Sequence, residues 1–270
     1  MCSKRTTLLA AAVAALMAGP VAAQTVTFTD PTGDDKGPGN YAYPTDPVYT
    51  PGSFDLTELS VETKGDNVTF NTSVATKLED PWGMGVGFAV QMMFIFIDTD
   101  RKEGSGHTEG LPGLNIKFDP KFAWDKVVIL SPQKKARVDS EVRSKAEALA
   151  ADIVVPARTT GRGKTISGKV KLSELGGGDP ASWAYQVVVQ SNEGFPAKTD
   201  LLTRKVNEYE GQHRYGGGND GDCDPHVMDI LAGKGNGATE EVELQHQQLS
   251  YECGEGGESV KMATLKMVTK

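Results

Sequence analysis

The 270-residue chain is acidic: it has 36 Asp and Glu residues against 28 Lys and Arg, for a formal net charge of −8. An acidic surface argues against nucleic acids and anionic membrane surfaces as partners. The sequence has no P-loop, no H-E-x-x-H motif and no G-x-S-x-G motif. We therefore predict that the chain is not an enzyme on its own.

The N-terminal segment has the pattern of a secretory signal peptide. Lys4 and Arg5 form a basic start, an apolar run follows over residues 8–18, and small residues precede Gln24. We expect cleavage after Ala23, which gives a signal peptide over 1–23 and one domain over 24–270 in the periplasm or outside the cell. The apolar run is shorter than the roughly 20 residues that a membrane span needs, and no later stretch qualifies, so we predict no membrane span.

Strand patterns follow along the rest of the chain. Apolar residues alternate with polar ones over 54–63 and 68–74, on either side of a Gly-containing turn, which predicts a hairpin. Residues 87–97 are almost entirely apolar, which is typical of a central strand buried on both faces. Further strands are predicted over 124–130, 152–156, 165–172, 183–190 and 260–268, and helical spacing occurs only over 141–151.

These elements predict an all-β fold, an antiparallel β-sandwich of jelly-roll or immunoglobulin-like type. The 31 glycines and 14 prolines agree with short strands joined by many turns. Long loops rich in Gly and Asp are expected over residues 30–53, 99–122 and 207–240.

Carboxylates in the first two loops suggest calcium, which binds six to eight oxygen ligands. Asp30, Asp34 and Asp35 lie within six residues of one another, and Asp98 and Asp100 follow the buried strand. We predict calcium ligands at these five positions. The alternative is that such turns are solvated or cap backbone amides. The third loop, which contains Asp220, Asp222 and Asp224, carries a weaker signal.

Aromatic residues allow two interpretations. Tyr41 and Tyr43 lie in the first loop, and Trp82 and Trp124 lie at strand edges. Exposed rings at these positions could stack on sugars, whereas a tryptophan that begins a strand is more often a core residue. We keep all four as candidate ligand contacts.

Cys223 and Cys253 are the cysteines that remain after removal of the signal peptide, and we predict that they form one disulfide. Met92 and Met93 in the apolar strand leave open a b-type haem and an electron-transfer function. The alternative is that they fill the core, as methionines in apolar strands usually do.

Several motifs together resemble the C-terminal module of glucodextranase. They are DPTGDDKGPGNYAYPTDPVYTPGSFDL at 30–56, DPWGMGVGFAVQMMFIFIDTD at 80–100, GLPGLN at 110–115, and shorter matches at 178–187, 216–220 and 228–231. The resemblance covers about 28–231. It implies a β-sandwich accessory module, similar to carbohydrate-binding and DOMON-like domains, that binds a polysaccharide or cell-envelope glycan and acts beside a glycan-processing enzyme. A structural or adhesion component of the cell envelope is the alternative.

Overall fold

The computed structural model describes residues 23–270, so the predicted signal peptide lies outside the described residues except for Ala23. The strands, in chain order, are β1 Gln24–Thr29, β2 Leu56–Lys64, β3 Asn67–Val74, β4 Gln91–Asp98, β5 Ile116–Phe118, β6 Lys126–Leu130, β7 Ile153–Val154, β8 Thr159–Arg162, β9 Thr165–Lys171, β10 Ala184–Ser191, β11 Asp229–Ile230, β12 Glu252–Cys253, β13 Ser259–Lys261 and β14 Ala263–Leu265. The α-helices are α1 Lys135–Lys145 and α2 Glu240–Leu249, and short 3-10 helices span Pro120–Phe122, Glu147–Leu149, Leu172–Leu175 and Pro180–Ser182.

Two five-stranded sheets form the sandwich, and the predicted all-β, antiparallel architecture is confirmed. The first sheet has the order β1-β2-β3-β9-β8, and the second has the order β11-β10-β4-β6-β7. Neighbouring strands pair antiparallel except for β6 with β7; a separate short pair, β5 with β14, is also parallel. The predicted hairpin is the β2–β3 pair, with Val61 opposite Phe70.

The core between the two sheets follows from the alternation of side chains along each strand. The first sheet contributes Leu59, Val61, Phe70 and Ile166, and the second contributes Met93, Ile95, Ile97, Val187 and Val189. All of these side chains are buried.

A second core covers the outer face of the second sheet. Met92, Phe94 and Phe96 of β4 point to this side and pack with side chains from α1, α2, β5 and β14, among them Val138, Val142, Leu249, Ile116 and Leu265. Every residue of β4 is therefore buried, as the continuous apolar run predicted. Met92 and Met93 lie on opposite faces of β4 and pack in different cores. Both side chains therefore fill the core.

The predicted helix, residues 141–151, is displaced by six residues from the observed α1. Helix α1 ends at Lys145, well before the predicted end at residue 151, and begins six residues before the predicted start. Val138 and Val142 are its buried residues, so the buried face lies earlier in the chain than the apolar spacing suggested. The predicted strand at 260–268 is two short strands, β13 and β14. Of the predicted strand at 152–156, only β7 is regular.

The sequence patterns did not reveal β1, β8 and α2, nor the short strands β5, β11 and β12. Strand β1 pairs with β2 at the edge of the first sheet and is mostly exposed, so its apolar signal is limited to Val26 and Phe28. Among residues 23–270, no helix combines the length and the apolar character that crossing a membrane requires.

Candidate functional site

A buried cluster of carboxylates lies where the first loop meets β11. Asp30 follows the last residue of β1, Asp34 lies four residues further along the loop, and Asp229 opens β11. One carboxylate oxygen from each lies within 4.8 Å of the others, and all three residues are buried. Antiparallel pairing of β11 at the edge of the second sheet brings Asp229 to two residues that are distant in sequence.

Asp55, just before β2, extends this cluster. Its Oδ2 accepts a hydrogen bond from the backbone amide of Gly33 at 2.8 Å, which holds the first loop against the start of the strand. Gly33 has a φ of 92°, a left-handed conformation that favours glycine. We call Asp30, Asp34, Asp55 and Asp229 the buried acidic cluster.

Several carboxylate oxygens of the buried acidic cluster have no partner. Asp30 Oδ2, Asp34 Oδ1 and Asp55 Oδ1 are buried and accept no hydrogen bond, and none of the four residues forms a salt bridge within residues 23–270. Buried charges are normally paired or bound to metal. The unpaired oxygens make this cluster a candidate cation site.

The electrostatics of the cluster agree with this. Burial, together with the neighbouring carboxylates, raises the pKa of Asp34 to about 7 and that of Asp55 to about 6. Burial, together with these neighbours, also holds the pKa of Asp30 and of Asp229 well above the usual range. Crowded buried carboxylates that lack a cation take up protons, so each pKa is raised. A bound cation would lower each pKa instead.

Helix α2 fixes the loops around the cluster. Gln245 is fully buried: its Oε1 accepts from the amide of Ile230 at 2.9 Å, and its Nε2 donates to the carbonyl of Asp34 at 2.6 Å. Glu241, one turn earlier, accepts hydrogen bonds from the amides of Lys234 and Gly237 at 2.6 and 2.8 Å. The helix thus joins the first loop to β11 through polar side chains.

Asp35 lies beside the buried acidic cluster but points elsewhere. Its Oδ2 accepts a hydrogen bond from the hydroxyl of Tyr43, and it is not one of the carboxylates that converge within 4.8 Å. Of the three aspartates predicted in the first loop, the structure brings Asp30 and Asp34 together with two residues, Asp55 and Asp229, that the sequence reasoning missed. A charged residue inside the apolar run Met228-Asp229-Ile230-Leu231 was the available signal.

The second predicted set lies at the far end of β4. Asp98 and Asp100 converge with Asp125, again within 4.8 Å. Their oxygens accept local hydrogen bonds: Asp98 from the amide of Arg101 at 2.6 Å, and Asp125 from the amide and hydroxyl of Thr99 at 2.7 and 2.6 Å. Asp100 is exposed. We call these three residues the strand-end acidic cluster.

The four aromatic candidates differ in exposure. Tyr41 is buried, and its hydroxyl donates to the carbonyl of Pro225 at 2.6 Å. Trp124 is fully buried, and its Nε1 donates to the carbonyl of Glu109 at 2.9 Å. Tyr43 is half-buried against Phe54 and Tyr215. Trp82, 38% exposed, is the candidate with substantial open surface.

The third loop is fastened covalently. Cys223 and Cys253 form the predicted disulfide, with a Cα–Cα distance of 5.7 Å. Beside it, Asp222 pairs with Lys205 and accepts a hydrogen bond from Nε2 of buried His226 at 2.9 Å. These partners lower the pKa of Asp222 to about 2, with the hydrogen bond from His226 as the largest cause.

The comparison with known families agrees with this fold. A family model described as the SLH-like C-terminal binding module of glucodextranase matches residues 25–267. The chain belongs to this family. The matched region includes both sheets, both acidic clusters, Cys223 and Cys253. It extends beyond residues 28–231, over which the sequence motifs resemble the family. A search of curated proteins found no match to this chain.

Proposed function

We propose that this protein is an exported, non-catalytic module that binds carbohydrate and acts beside a glycan-processing enzyme. The observation that carries the proposal is the family match over residues 25–267, because the family is a binding module and not a catalytic domain. The signal-peptide pattern before Gln24 supports export, which would place the module where polysaccharides are found.

A binding screen tests this function. The chain without residues 1–23 would be run in affinity gels that contain storage α-glucans, other plant polysaccharides or purified cell-wall glycan. We expect retardation by at least one polysaccharide and no sustained release of reducing sugar. Absence of binding across the screen would overturn the carbohydrate proposal, and hydrolysis that survives purification would overturn the non-catalytic one.

The same screen addresses a second candidate. The SLH-like description of the family favours a structural or adhesion component that attaches to the cell envelope. Binding to cell-wall glycan alone would support that candidate, whereas binding to storage polysaccharides would support an accessory module for a glycan-processing enzyme.

Calcium forms part of the proposal as a structural cation. The buried acidic cluster fits it because carboxylate oxygens are the ligands that calcium prefers and because three buried oxygens there have no partner. Asp30, Asp34 and Asp229 would bind the ion, with Asp55 next to them. Bound calcium would neutralise the mutual repulsion of these carboxylates and so stabilise the first loop against β11.

Metal analysis and thermal melts test the calcium proposal. Protein purified without chelator should contain about one tightly held calcium by elemental analysis. Addition of excess EDTA should lower the melting temperature, and millimolar calcium should restore it. Identical melting curves together with no bound metal would show that this cluster holds no calcium.

A further inference from the structure

Three loops meet around Trp82 at one end of the sandwich. The Trp82 ring lies 6.2 Å from the ring of Tyr49 and 6.4 Å from that of His213, and the Tyr49 and His213 rings lie 5.9 Å apart, centroid to centroid. These residues come from the loops that precede β2, β4 and β11. We call Tyr49, Trp82 and His213, together with Glu193 and Arg214, the Trp82 surface.

A tight turn holds Trp82 in place. Asp80 accepts hydrogen bonds from the amides of Met84 at 2.7 Å and Gly85 at 2.8 Å, one with each carboxylate oxygen. The amide of Gly83 donates to the carbonyl of Asp80 at 3.2 Å. The indole is thus presented on a fixed turn and packs against Tyr49 and His213, so little side-chain entropy is lost when a ligand contacts it.

Charged groups form the edge of this surface. Glu193 Oε2 lies 3.1 Å from the guanidinium of Arg204 and 3.9 Å from that of Arg214. The Arg214 side chain is 37% exposed, whereas those of Glu193 and Arg204 are largely buried. Arg214, next in sequence to His213, therefore offers donors to solvent while the buried ion pair fixes its position.

Buried polar atoms without a partner also collect here. The hydroxyl of Tyr49 and Nδ1 of His213, whose rings pack against Trp82, make no hydrogen bond within the described residues. Buried polar groups are normally satisfied by protein or ordered water. Two such atoms, on the rings that pack against Trp82, leave polar groups that ordered water can bond at the edge of this surface.

A groove lies between the loop segments that precede and follow Tyr49 and the segment that precedes Trp82. It is about 360 Å³ in volume and is lined by Pro47, Val48 and Thr50 on one side and by Glu79, Asp80 and Pro81 on the other. Its mixture of apolar surface with hydroxyl and carboxylate groups suits a ligand that has both hydroxyls and apolar ring faces.

We propose that the Trp82 surface is the carbohydrate-binding site, and that a pyranose ring of a polysaccharide stacks on Trp82 while its hydroxyls bond to Arg214 and the groups around it. This inference rests on the proposed carbohydrate function and gives that function a location. A single exposed indole beside a small groove matches one or two sugar rings, whereas a stable protein interface buries roughly 800 Å² on each partner.

Binding measurements on the polysaccharide retained in the screen test the location. The Trp82→Ala variant should bind at least tenfold more weakly, and Trp82→Phe should recover part of the affinity because a smaller ring still stacks. Tyr209→Ala is the matched control, since Tyr209 is 72% exposed and lies outside the Trp82 surface; it should bind as the unaltered chain does. Thermal melts would verify that each variant is folded.

Tryptophan fluorescence gives an independent readout. Of the three tryptophans, Trp124 and Trp183 are 0% and 2% exposed, so Trp82 is the one that a ligand can reach. Polysaccharide should change the fluorescence of the unaltered chain and not that of Trp82→Phe. Undiminished binding by Trp82→Ala would overturn this location and leave the carbohydrate function intact. No polysaccharide bound by the unaltered chain, or capture of a protein through Trp82 instead, would overturn both.

Discussion

The buried and the strand-end acidic clusters are both built from aspartates near strand ends, but their surroundings differ. Each has an aspartate at the end of a strand, Asp30 after β1 and Asp98 at the end of β4, and in each three carboxylates converge within 4.8 Å. In the buried acidic cluster, Asp30, Asp34 and Asp55 keep unpaired oxygens. In the strand-end acidic cluster, backbone amides and hydroxyls already donate to the carboxylates.

The two clusters thus differ in depth and in local hydrogen bonding, and not in the number of acidic residues. A turn exposed to water can satisfy its carboxylates with its own amides. Buried carboxylates that converge from separate elements are only partly satisfied in this way. Backbone amides donate to Asp30, Asp55 and Asp229, yet one oxygen each of Asp30, Asp34 and Asp55 stays unbonded. The calcium ligands predicted at Asp98 and Asp100 stay a prediction.

The third acidic loop gives the largest expected effect, because a covalent bond fastens it. Replacing Cys223 and Cys253 together by Ser opens a loop with a sequence separation of 30. The chain-entropy treatment gives a loss of about 3–4 kcal/mol in the free energy of unfolding. Urea unfolding in calcium would measure the loss. If the loss vanished, the loop would be held by its polar contacts and not by the disulfide.

At the buried acidic cluster, removal of carboxylates is expected to lower stability in calcium but not in EDTA. Asp30→Asn with Asp34→Asn removes calcium ligands and can place each NH2 where the carboxylate oxygen had no partner. The variant should lose the calcium-dependent stabilisation, which is about 2.7 kcal/mol at 100 times the dissociation constant. In EDTA at pH 8 the same variant should be at least as stable as the unaltered chain, because two repelling charges are gone. Melting curves in both buffers test this, with Glu79→Gln, an exposed residue, as control. A calcium shift that survives in the variant would contradict the assignment.

The pH dependence of the metal-free protein follows from the same cluster. The folded pKa of Asp34 is about 7 and that of Asp55 about 6, both above the ordinary value of 3.8. Their favourable contribution is complete below pH 4 and is lost as pH rises through 6 and 7, because the ionised forms are destabilised in the fold.

Calcium should remove most of this dependence. Melting temperatures in EDTA should therefore fall between pH 5 and pH 8, and the gain from saturating calcium should grow over the same interval. A metal-free melting temperature that rises over this interval would contradict the proposed environment of the cluster. Asp34→Asn should flatten the metal-free profile.

The smallest effect is expected at the strand-end acidic cluster. Asp98→Asn with Asp100→Asn keeps the acceptor oxygens that bind the amides of Arg101 and Lys102, so stability should change by less than about 1 kcal/mol. Any calcium bound there should also dissociate more readily than calcium in the buried acidic cluster. Calorimetric titration of this variant against the unaltered chain would measure both. Loss of the tightest calcium site in this variant would reverse the ranking of the clusters.

Much of the fold was predictable because local patterns determine it. Alternation over 54–74 identified the β2–β3 hairpin, and the apolar run at 87–97 identified β4 as a strand buried on both faces. Helix α2 was not predicted because its buried face carries Glu241 and Gln245 beside Leu249. Polar side chains at these positions give no apolar period, and their burial depends on amides from other loops.

The sequence by itself determined the central strands of both sheets, the family and the pairing of Cys223 with Cys253. Strand periodicity is local, and the two cysteines after residue 23 allow one bridge. The tertiary structure alone decided which aspartates and aromatic rings are available. Trp82 and Trp124 look alike at strand edges, yet one is presented on an open turn and the other is packed under β5. Asp229 joins Asp30 and Asp34 because strand pairing brings distant segments together, and no pattern within a short stretch of sequence records that contact.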